Sequence, residues 1–237
     1  MIRIDKSPTI IASMFDRIAS TYDLLNFTLS FSMDERWRKT IISSLNIKDG
    51  DNVLDIATGT GDMAARTLRT AGCMVTGLDI SRRMLDIAAK KNKKSRGRFL
   101  ITAGDALAMP FSNETFDHAM TAFGIRNMSN LPTFLDEVFR VLKDGGKMAV
   151  LELSVPSHLS WKWVYLAYFK TILPVIGGLV SGDFKAYRYL RDSVMGFPPP
   201  AELERLMKES GFEVVQSSSL LLGIAHIYLL RKVAAEG

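Results

Sequence analysis

The sequence predicts a doubly wound α/β fold built on a seven-stranded, mostly parallel β-sheet, and three observations predict it. From residue 51 onward, short apolar segments of strand length alternate with segments of helical period. The first apolar segment runs directly into a turn with two glycines, Gly59 and Gly61. Two more segments of strand type close the chain. In such a sheet, ligands bind at the edge formed by the carboxyl ends of the strands.

Residues 1–46 precede the sheet and are predicted to form two helices. The first has a plausible start at Ser7-Pro8, and the second places Trp37, Ile41 and Leu45 on one face. Apolar side chains at helical spacing mark the first helix: Ile10, Ile11, Met14, Phe15, Ile18 and Tyr22.

The core of the sheet is predicted within residues 47–154. Its five strands are expected at residues 53–56, 74–78, 99–102, 116–123 and 148–153. Ser81 is expected to cap one helix. Another helix is expected to begin at Leu131-Pro132 and to stop at residues 144–146, Asp-Gly-Gly.

The remaining residues complete a single predicted domain, residues 1–237. An aromatic-rich insert, residues 155–198, is interpreted as a helical lid over the site. Residues 199–237 follow, with a helix at 201–210 and strands at 213–220 and 224–230. The single cysteine, Cys73, excludes an internal disulfide and is predicted to be a buried, inert thiol.

The charge and hydropathy of the chain indicate a cytoplasmic protein. The N-terminus lacks the apolar core of a signal peptide. The most apolar stretch, residues 164–180, contains Lys170 and Pro174, so it falls short of a charge-free span of about 20 residues. We interpret that stretch as a buried or membrane-apposed element. The chain is therefore expected in the cytoplasm, with peripheral contact at the inner face of the membrane as an extension.

The formal net charge is +5, and a dense basic run accounts for part of it. The run favours a solvated helix C-terminus first and attraction to anionic lipid second. Nucleic acid is not an expected partner, because no aromatic residues are interleaved to stack on bases. The run comprises Lys90, Lys91, Lys93, Lys94, Arg96 and Arg98.

The glycine turn after the first strand is typical of a nucleotide cofactor site. Gly59-x-Gly61-x-x-Ala64 fits the dinucleotide fingerprint, and Asp79 lies where a ribose-binding acid is expected. Two glycines allow a close approach of backbone to ligand. The turn alone does not separate NAD from S-adenosylmethionine.

The acidic residues around the turn favour S-adenosylmethionine over a dinucleotide. Asp55 and Asp62 would repel a pyrophosphate, whereas they would favour an ammonium and a sulfonium. Asp79 is expected to bind the ribose hydroxyls. Asp105 is expected to accept a hydrogen bond from the adenine amino group, with Ala106 covering the ring.

The sequence resembles the demethylmenaquinone and ubiquinone C-methyltransferases, which are class I methyltransferases of quinone biosynthesis. The resemblance extends from Met14 to about Ile227. The cofactor turn, residues 53–62, is generic to methyltransferases. The more specific motifs are the opening signature at 14–26 with Trp37-Arg38, the segments 123–127 and 151–156, and the lid motifs at 168–170, 187–193 and 197–198.

The resemblance implies a Rossmann-like fold and S-adenosylmethionine as cofactor. Ala122 departs from a serine found in some members, which removes one possible hydrogen bond to the cofactor. Asp144 replaces a common proline in a turn. The implied cofactor-binding set is Asp55, Thr58, Gly59, Gly61, Asp79, Ile80, Met84, Asp105, Ala106 and Ala122.

Methylation of a ring carbon requires an electron-rich ring, which a quinol provides once a hydroxyl proton is removed. A cation beside the oxyanion lowers the cost of that ionisation. Arg126 is the first candidate, with Asn127 as hydrogen-bond partner; the alternative for Arg126 is a structural salt bridge. Arginine does not readily release a proton, so Arg126 would stabilise the anion or orient a water.

Further candidates for the proton transfer lie at both ends of the chain. Asp16, Tyr22 and Asp23 belong to the N-terminal region, where helix capping and packing are the alternative roles. His226 is a weaker general-base candidate, because its segment is one residue shorter than the pattern of the family. No spacing of His, Cys, Asp or Glu suggests a metal site.

The aromatic insert fits an apolar acceptor with a prenyl tail. It is interpreted as the wall of a polyprenyl channel that touches the bilayer surface, or alternatively as a lid core or homodimer interface. The residues concerned are Trp161, Trp163, Tyr165, Tyr168, Phe169, Ile172 and Leu173.

The predicted function is therefore C-methylation of a polyprenyl quinol by S-adenosylmethionine, with demethylmenaquinol as the acceptor. The nearest alternative is the benzoquinol of ubiquinone synthesis. More distant alternatives are an NAD-dependent oxidoreductase and a non-catalytic scaffold that senses S-adenosylmethionine.

Overall fold

The architecture is described from a computed structural model of the chain. The structure describes residues 5–23, 33–156, 182–233 and, within the insert, residues 163, 167, 169, 171 and 175. The predicted insert residues Trp161, Tyr165, Tyr168, Lys170, Ile172, Leu173 and Pro174 lie outside the described residues, as do Leu25 and Asn26 of the opening signature.

Helices and strands follow one another in the order that the hydrophobic pattern predicts. The strands are β1 (Asn52–Ile56), β2 (Met74–Asp79), β3 (Phe99–Ala103), β4 (Phe116–Ala122), β5 (Leu142–Leu153), β6 (Phe212–Leu220) and β7 (Ala225–Lys232). The helices are α1 (Pro8–Ile18), α2 (Met33–Leu45), α3 (Asp62–Thr67), α4 (Arg82–Lys91), α5 (Leu131–Val141), α6 (Phe184–Met195) and α7 (Pro200–Glu209).

The strands form one seven-stranded sheet in the order β3-β2-β1-β4-β5-β7-β6. The first five strands in this order are parallel neighbours. Strand β7 runs antiparallel to both β5 and β6. The predicted seven-stranded, mostly parallel sheet is therefore confirmed. The order of the strands reverses between β1 and β4, so the crevice for a ligand opens beside the carboxyl ends of these two strands.

Two apolar clusters cover the two faces of the sheet. Strand β1 shows the alternation: Leu54 and Ile56 face a cluster with α5 and α7, whereas Val53 faces a cluster with α2 and α3. Ile41 and Leu45 of α2 belong to the second cluster, as predicted from their spacing. Cys73 is buried in the same cluster, which confirms the predicted burial of its thiol.

A third apolar cluster joins α1 and α6 above the carboxyl edge of the sheet. Met14 and Ile18 of α1 contact Met84 of α4 and Tyr187 of α6 in this cluster. The helix begins at Pro8, as the Ser7-Pro8 pair predicts. Packing of α1 and α6 at this edge places the N-terminal helix over the crevice.

Several predicted boundaries differ from the structure. Helix α1 ends at Ile18, four residues before the predicted Tyr22, and Ile10 is 46% exposed where its spacing predicted a core position. The residues between β3 and β4 form no helix, so the alternation is broken there. Residues 144–146 lie inside β5, because β5 pairs with β4 already from Leu142.

No helix among the described residues has the length and apolar character that crossing a bilayer requires.

Candidate active site

A cavity opens at the carboxyl edge of the sheet, between the strand ends and α1. Its volume is about 740 Å³ with the open mouth included. Nine of the predicted site residues line it: Tyr22, Gly59, Asp79, Ile80, Met84, Asp105, Ala106, Ala122 and Asn127. The predicted residues that do not line it are Asp55, Thr58, Gly61, Asp23, Arg126 and His226.

Asp79, at the end of β2, is the best-ordered acid of the cavity wall. One carboxylate oxygen accepts the Gly59 amide at 2.8 Å, and the other accepts the Ser81 amide at 2.8 Å. Burial raises the pKa of Asp79, while these amide bonds oppose the rise. A carboxylate offers about four acceptor positions. The positions that the amides leave open fit a pair of vicinal ribose hydroxyls, so the residues present fit the predicted cofactor.

Asp105 follows β3 and lies at the same side of the cavity as Asp79. Its Oδ1 atom accepts the backbone amide of Leu107 at 2.9 Å, which fixes the side chain at the wall. Ala106 beside it is buried and adds an apolar surface. The pair therefore offers an acceptor and a flat apolar contact, which is the arrangement that an adenine ring requires.

Asp55 and Asp62 serve the turn itself rather than the cavity. Asp55, at 1% exposure, accepts the Thr58 hydroxyl at 2.6 Å and the Ala64 amide at 3.2 Å. Asp62 forms an ion pair with Lys91 at 2.6 Å. The prediction that four acids face the cofactor is therefore reduced to two, Asp79 and Asp105, because the other two are occupied by protein groups.

The two glycines of the turn have different structural roles. Gly59, with φ of +56°, lines the cavity, and an added Cβ there would lie 4.0 Å from Tyr22. Gly61, with φ of +80°, lies against α4 instead. An added Cβ at Gly61 would lie 2.8 Å from the Asn92 side chain and 3.0 Å from Ala88. Gly61 therefore permits close packing of α3 on α4 and does not line the site.

Arg126 takes part in a buried salt bridge behind the cavity wall. Its Nη1 atom donates to Glu152 of β5 at 2.8 Å and also donates to the Phe123 carbonyl. The Arg126 backbone amide donates to the second oxygen of Glu152 at 3.0 Å. The predicted alternative, a structural salt bridge, is the arrangement observed. The bridge holds the segment 123–127 against β5.

Asn127, next to Arg126, does line the cavity. Its side-chain oxygen accepts the Tyr189 hydroxyl at 3.0 Å, so α6 fixes its orientation. Burial raises the pKa of Tyr189 to about 12, although the charge of Arg126 acts in the opposite direction. Tyr189 therefore stays protonated at neutral pH and remains a hydrogen-bond donor to Asn127.

The N-terminal candidates hold α1 over the site by polar contacts. Asp16 accepts hydrogen bonds from the Ser81 hydroxyl at 2.6 Å and the Arg83 amide at 3.2 Å. Asp23 accepts the Thr60 hydroxyl and pairs with Lys91 at 2.5 Å. Both aspartates take the capping and packing role that was their alternative.

Tyr22 reaches the cavity from the same N-terminal segment, where its ring lies edge-on to Phe15 with centroids 6.0 Å apart.

The predicted cap of α4 is confirmed: the Ser81 hydroxyl accepts the Met84 amide. The α4 cap therefore joins α1, through Asp16, to the cofactor side of the cavity.

His226 lies on β7, away from the cavity. Its Nε2 atom is 2.7 Å from the Ser217 hydroxyl of β6, and its ring contacts the ring of Tyr228. Burial lowers the pKa of His226. The structure does not bring this histidine to the other candidates, so it is not positioned to take a proton from a ligand in the cavity.

With this geometry established, similarity to known proteins identifies the family. The chain matches the ubiE/COQ5 methyltransferase family over residues 3–232. A demethylmenaquinone methyltransferase of Thermotoga maritima is 45% identical over 91% of this chain and 93% of its own. A Thermus thermophilus protein of the same name is 44% identical over 91% and 98%. The chain belongs to the ubiE/COQ5 methyltransferase family.

This membership confirms the predicted enzyme class, a methyltransferase with S-adenosylmethionine as methyl donor. It also decides against the NAD-dependent alternative. Another relative, the ubiquinone/menaquinone biosynthesis C-methyltransferase UbiE of Geotalea daltonii, is 39% identical over 96% of this chain and 98% of its own. Both quinone pathways are therefore represented among the relatives of this family member.

Solved structures agree on the fold. A putative methyltransferase of Haloferax volcanii, solved in complex with the Trm112 activator, superposes with a TM-score of 0.71. It is 16% identical and covers 93% of this chain and 98% of its own. A putative S-adenosyl-L-methionine-dependent methyltransferase of Methanococcus maripaludis gives a TM-score of 0.67 at 18% identity, covering 94% and 95%. The predicted Rossmann-like fold is confirmed.

Among the charged residues at the cavity or behind its wall, Lys6 and Glu152 were not predicted from the sequence. Lys6 lines the cavity, but it lies ahead of the recognised opening signature. Glu152 binds Arg126, and it lies within the segment 151–156, which was noted only as a family motif. A buried carboxylate in the middle of an apolar strand is a signal that a charged partner is required, and it could have identified Glu152.

Gly124 lies at the tightest backbone contact of the methyltransferase cavity wall. An added Cβ would lie 2.8 Å from the Ala57 Cβ and 2.8 Å from the Thr121 hydroxyl. We expect Gly124→Ala to lower the free energy of unfolding by about 1–3 kcal/mol, because Thr121 on β4 is buried and Ala57 in the β1 turn is half-buried. Urea unfolding measures this loss, and unchanged stability would contradict the packing described.

Proposed function

We propose that the chain transfers the methyl group of S-adenosylmethionine to a ring carbon of a reduced polyprenyl quinone, with demethylmenaquinol as the main acceptor. The observation that carries this proposal is the match to the family over residues 3–232, together with 45% and 44% identity to two demethylmenaquinone methyltransferases. The cavity agrees with it, since its wall combines carboxylates near β2 and β3 with apolar residues near β4 and α1.

The cofactor would lie against the ends of β1, β2 and β3. Asp79 would bind the ribose hydroxyls and Asp105 the adenine amino group, while Ile80 and Ala106 would cover the ring. S-adenosylmethionine supplies an electrophilic methyl group on a sulfonium. The turn at Gly59 leaves room for close backbone approach, and two hydrogen bonds from backbone amides hold Asp79 in place.

The acceptor ring would lie towards β4 and α1. Ile11, Phe15, Phe123 and Met128 line this part of the cavity and would exclude water from the ring. Asn127, oriented by Tyr189, would hydrogen-bond a ring oxygen. Holding the two reactants in alignment contributes several kcal/mol of barrier reduction.

A direct assay of both demethylated quinols tests the proposal. Purified protein with S-adenosylmethionine is expected to methylate reduced demethylmenaquinone, and to leave the oxidised quinone unmethylated because its ring is electron-poor. Mass spectrometry of the product measures the added methyl group. Absence of methylation with either reduced quinol would refute the proposed function.

The benzoquinol of ubiquinone synthesis is the second candidate acceptor. The name of the UbiE relatives covers both quinones, which favours this second candidate. The UbiE protein of Geotalea daltonii is 39% identical to this chain. Competition between the two quinols in one assay separates the candidates. We expect the naphthoquinol to have the larger kcat/KM, because the two relatives at 45% and 44% identity carry the demethylmenaquinone name.

Asp79→Ala is expected to weaken binding of S-adenosylhomocysteine by about 10- to 150-fold. This corresponds to the 1.5–3 kcal/mol typical of hydrogen bonds to charged groups. Isothermal titration measures the affinity. Asp62→Ala is the matched control, since Asp62 pairs with Lys91 outside the cavity and should bind as the parent does. Equal affinities of the Asp79→Ala variant and the parent would remove Asp79 from the cofactor site.

We propose further that the insert contacts a membrane surface, where polyprenyl quinols reside. Trp163 is 67% exposed and Val175 is 52% exposed, so apolar side chains of the insert face outward. Flotation with anionic vesicles tests this contact. A homodimer through the same insert stays a prediction, which sedimentation without lipid would test.

A further inference from the structure

Lys6 brings an amine into the acceptor side of the cavity. It lies just before α1 and is half-buried, and its Nζ atom donates to the Met128 carbonyl at 3.4 Å. Met128 follows the turn that carries Asn127. The amine therefore lies beside the part of the wall that would hold the acceptor ring, and away from the acids near β2 and β3.

Lys6 differs in its partners from three other lysines of the described chain, Lys91, Lys143 and Lys232. Lys91 pairs with Asp62 at 2.6 Å, and Lys143 pairs with Asp117 at 2.6 Å. Lys232 is bound by the Leu142 carbonyl and lies near two carboxylates. Within the described part of the chain, Lys6 has no carboxylate at ion-pair distance. Its long contact to one carbonyl leaves hydrogen-bonding capacity that no described residue of the cavity uses.

The surroundings of Lys6 lower its pKa on balance. Burial lowers the pKa of Lys6, and the positive charge of Arg126 lowers it further. Glu152 acts in the opposite direction, but it is bound to Arg126. Tyr22 and Tyr189 are the remaining titratable groups near Arg126. A neutral amine is a proton acceptor, so this environment suits a group that removes a proton.

The other titratable residues of the cavity wall are less suited to that task. Asp79 is bound by two backbone amides, and Asp105 by one, on the cofactor side. Arg126 lies behind the wall in its salt bridge, and His226 lies on β7 outside the cavity. Of the sequence-based candidates, Tyr22 lines the cavity, yet a phenol is itself an acid of the same strength as the acceptor hydroxyl.

We propose that Lys6 is the general base that accepts the hydroxyl proton of the acceptor ring. This inference rests on the proposed function, because it requires a quinol in the cavity. The O–H bond of the quinol breaks, an N–H bond forms on Lys6, and the electron pair passes into the ring. The activated ring carbon bonds to the methyl carbon while the sulfonium C–S bond breaks. The methylated carbon then loses its proton to solvent, and Lys6 returns its proton to the ring oxygen. The aromatic quinol and the neutral amine are restored, so the reaction releases one proton overall.

Two substitutions at Lys6 test the base against a simple cation. Lys6→Met keeps the length of the side chain and removes the amine. Lys6→Arg keeps a positive charge, but the arginine side chain does not act as a proton acceptor. We expect both to lower kcat/KM by about 10²–10⁴-fold, the usual contribution of a general base. Lys39→Met is the matched control, because Lys39 is exposed on α2, and it should retain the parent activity. A Lys6→Arg variant within tenfold of the parent would overturn the proposal.

The pH profile gives a second reading of the same role. In the parent, kcat/KM should rise with pH as Lys6 loses its proton, and the rise should lie below the ordinary lysine pKa. That limb should be missing from Lys6→Met. The same limb in Lys6→Met would assign it to another group and contradict the inference.

A binding measurement without turnover completes the test. The probe is 4-methoxy-1-naphthol, whose absorbance distinguishes the neutral from the ionised form, with S-adenosylhomocysteine present in place of the methyl donor. We expect the naphthol bound to the parent to ionise at a lower pH than free naphthol. Naphthol bound to the Lys6→Met variant should not ionise at a lower pH than free naphthol. Equal ionisation in parent and variant would refute a role for Lys6.

These results separate the inference from the proposed function. If the parent methylates neither reduced quinol, the proposed function fails whatever Lys6 does. If the parent is active and Lys6→Met is equally active, the proposed function stands and the assignment of Lys6 fails.

Discussion

Replacing Arg126 by alanine is expected to lower the free energy of unfolding by about 3–5 kcal/mol, the usual cost of removing one partner of a buried ion pair. Glu152 is 1% exposed and would lose its ion-pair partner. It would retain only hydrogen bonds from the amides of Arg126 and Leu153. Urea unfolding followed by far-UV circular dichroism measures the loss.

The same Arg126→Ala variant is expected to lose most of its turnover while its folded fraction keeps nearly the affinity for S-adenosylhomocysteine. Arg126 holds the segment that carries Asn127, whereas the cofactor side of the cavity is built by β1, β2 and β3. Titration calorimetry under conditions where the variant stays folded separates the two effects. An Arg126→Ala variant with full turnover would exclude any role of Arg126 in the reaction.

The double variant Arg126→Met with Glu152→Gln is the matched control for the charge. It removes both charges together, and the glutamine oxygen still accepts one of the two backbone amides, of residue 126 or of residue 153, that the two carboxylate oxygens accept in the parent. We expect it to be clearly more stable than Arg126→Ala alone, because no unbalanced charge remains. Turnover should recover in part, since the buried charge is relieved but methionine does not hold the segment through the Phe123 carbonyl. A stable but inactive double variant would instead indicate that the guanidinium itself acts on the acceptor.

The sheet could be predicted because each of its elements has a local signature. Strands β1 to β4 and the second half of β5 are short apolar runs. The Ser81 cap of α4 is a hydrogen bond between residues 81 and 84, which are close in the sequence. The boundaries were less predictable where tertiary pairing decides them. Strand β5 extends back to Leu142 because β4 provides a partner there, and no local pattern contains that information.

The site could be predicted only as far as its edge of the sheet. The strand ends place Asp55, Asp79 and Asp105 at that edge, but the sequence does not tell which carboxylates face the cavity. Asp55 is drawn into the turn by Thr58 and Ala64, three and nine residues away. Lys6 reaches the wall at Met128, across 122 residues, so no spacing rule reveals it.

Arg126 illustrates the same limit for charge. Its place just after β4 predicts a cation on the ligand side, and the structure places it at that edge but turned towards Glu152, 26 residues later on β5. Whether a charged side chain faces a ligand or a buried partner depends on the facing strand. The sequence therefore named two possible roles, and only the register of β4 against β5 decides between them.

Asp55 is expected to make the protein less stable as the pH rises from about 4 to 7. Burial raises the pKa of Asp55 from 3.8 to about 7, although Thr58, Arg38 and Ala64 oppose the rise. Between these two values the folded state binds a proton that the unfolded state has released. Stability from this group is therefore complete below the unfolded pKa and is lost as the pH rises through the folded pKa. The slope is at most about 1.4 kcal/mol per pH unit.

Asp55→Asn should remove this slope, because asparagine keeps an acceptor for Thr58 and carries no titratable proton. Urea unfolding of the parent and the variant at pH 4, 5.5, 7 and 8 gives the difference between the two curves. We expect the variant to gain stability relative to the parent as the pH rises.

Asp117→Asn is the control with the opposite sign. Burial raises the pKa of Asp117, but hydrogen bonds from the Asn52 amide and Lys143 lower it by more. The net pKa of Asp117 therefore lies below its ordinary value. The Asp117 contribution is therefore present at neutral pH and is lost as the pH falls through its folded pKa.

A constant difference in stability between the parent and Asp55→Asn from pH 4 to 8 would contradict the prediction, because Asp55 would then be ionised throughout. The turn would then have to hold a buried charge, which Thr58 and Ala64 alone do not balance.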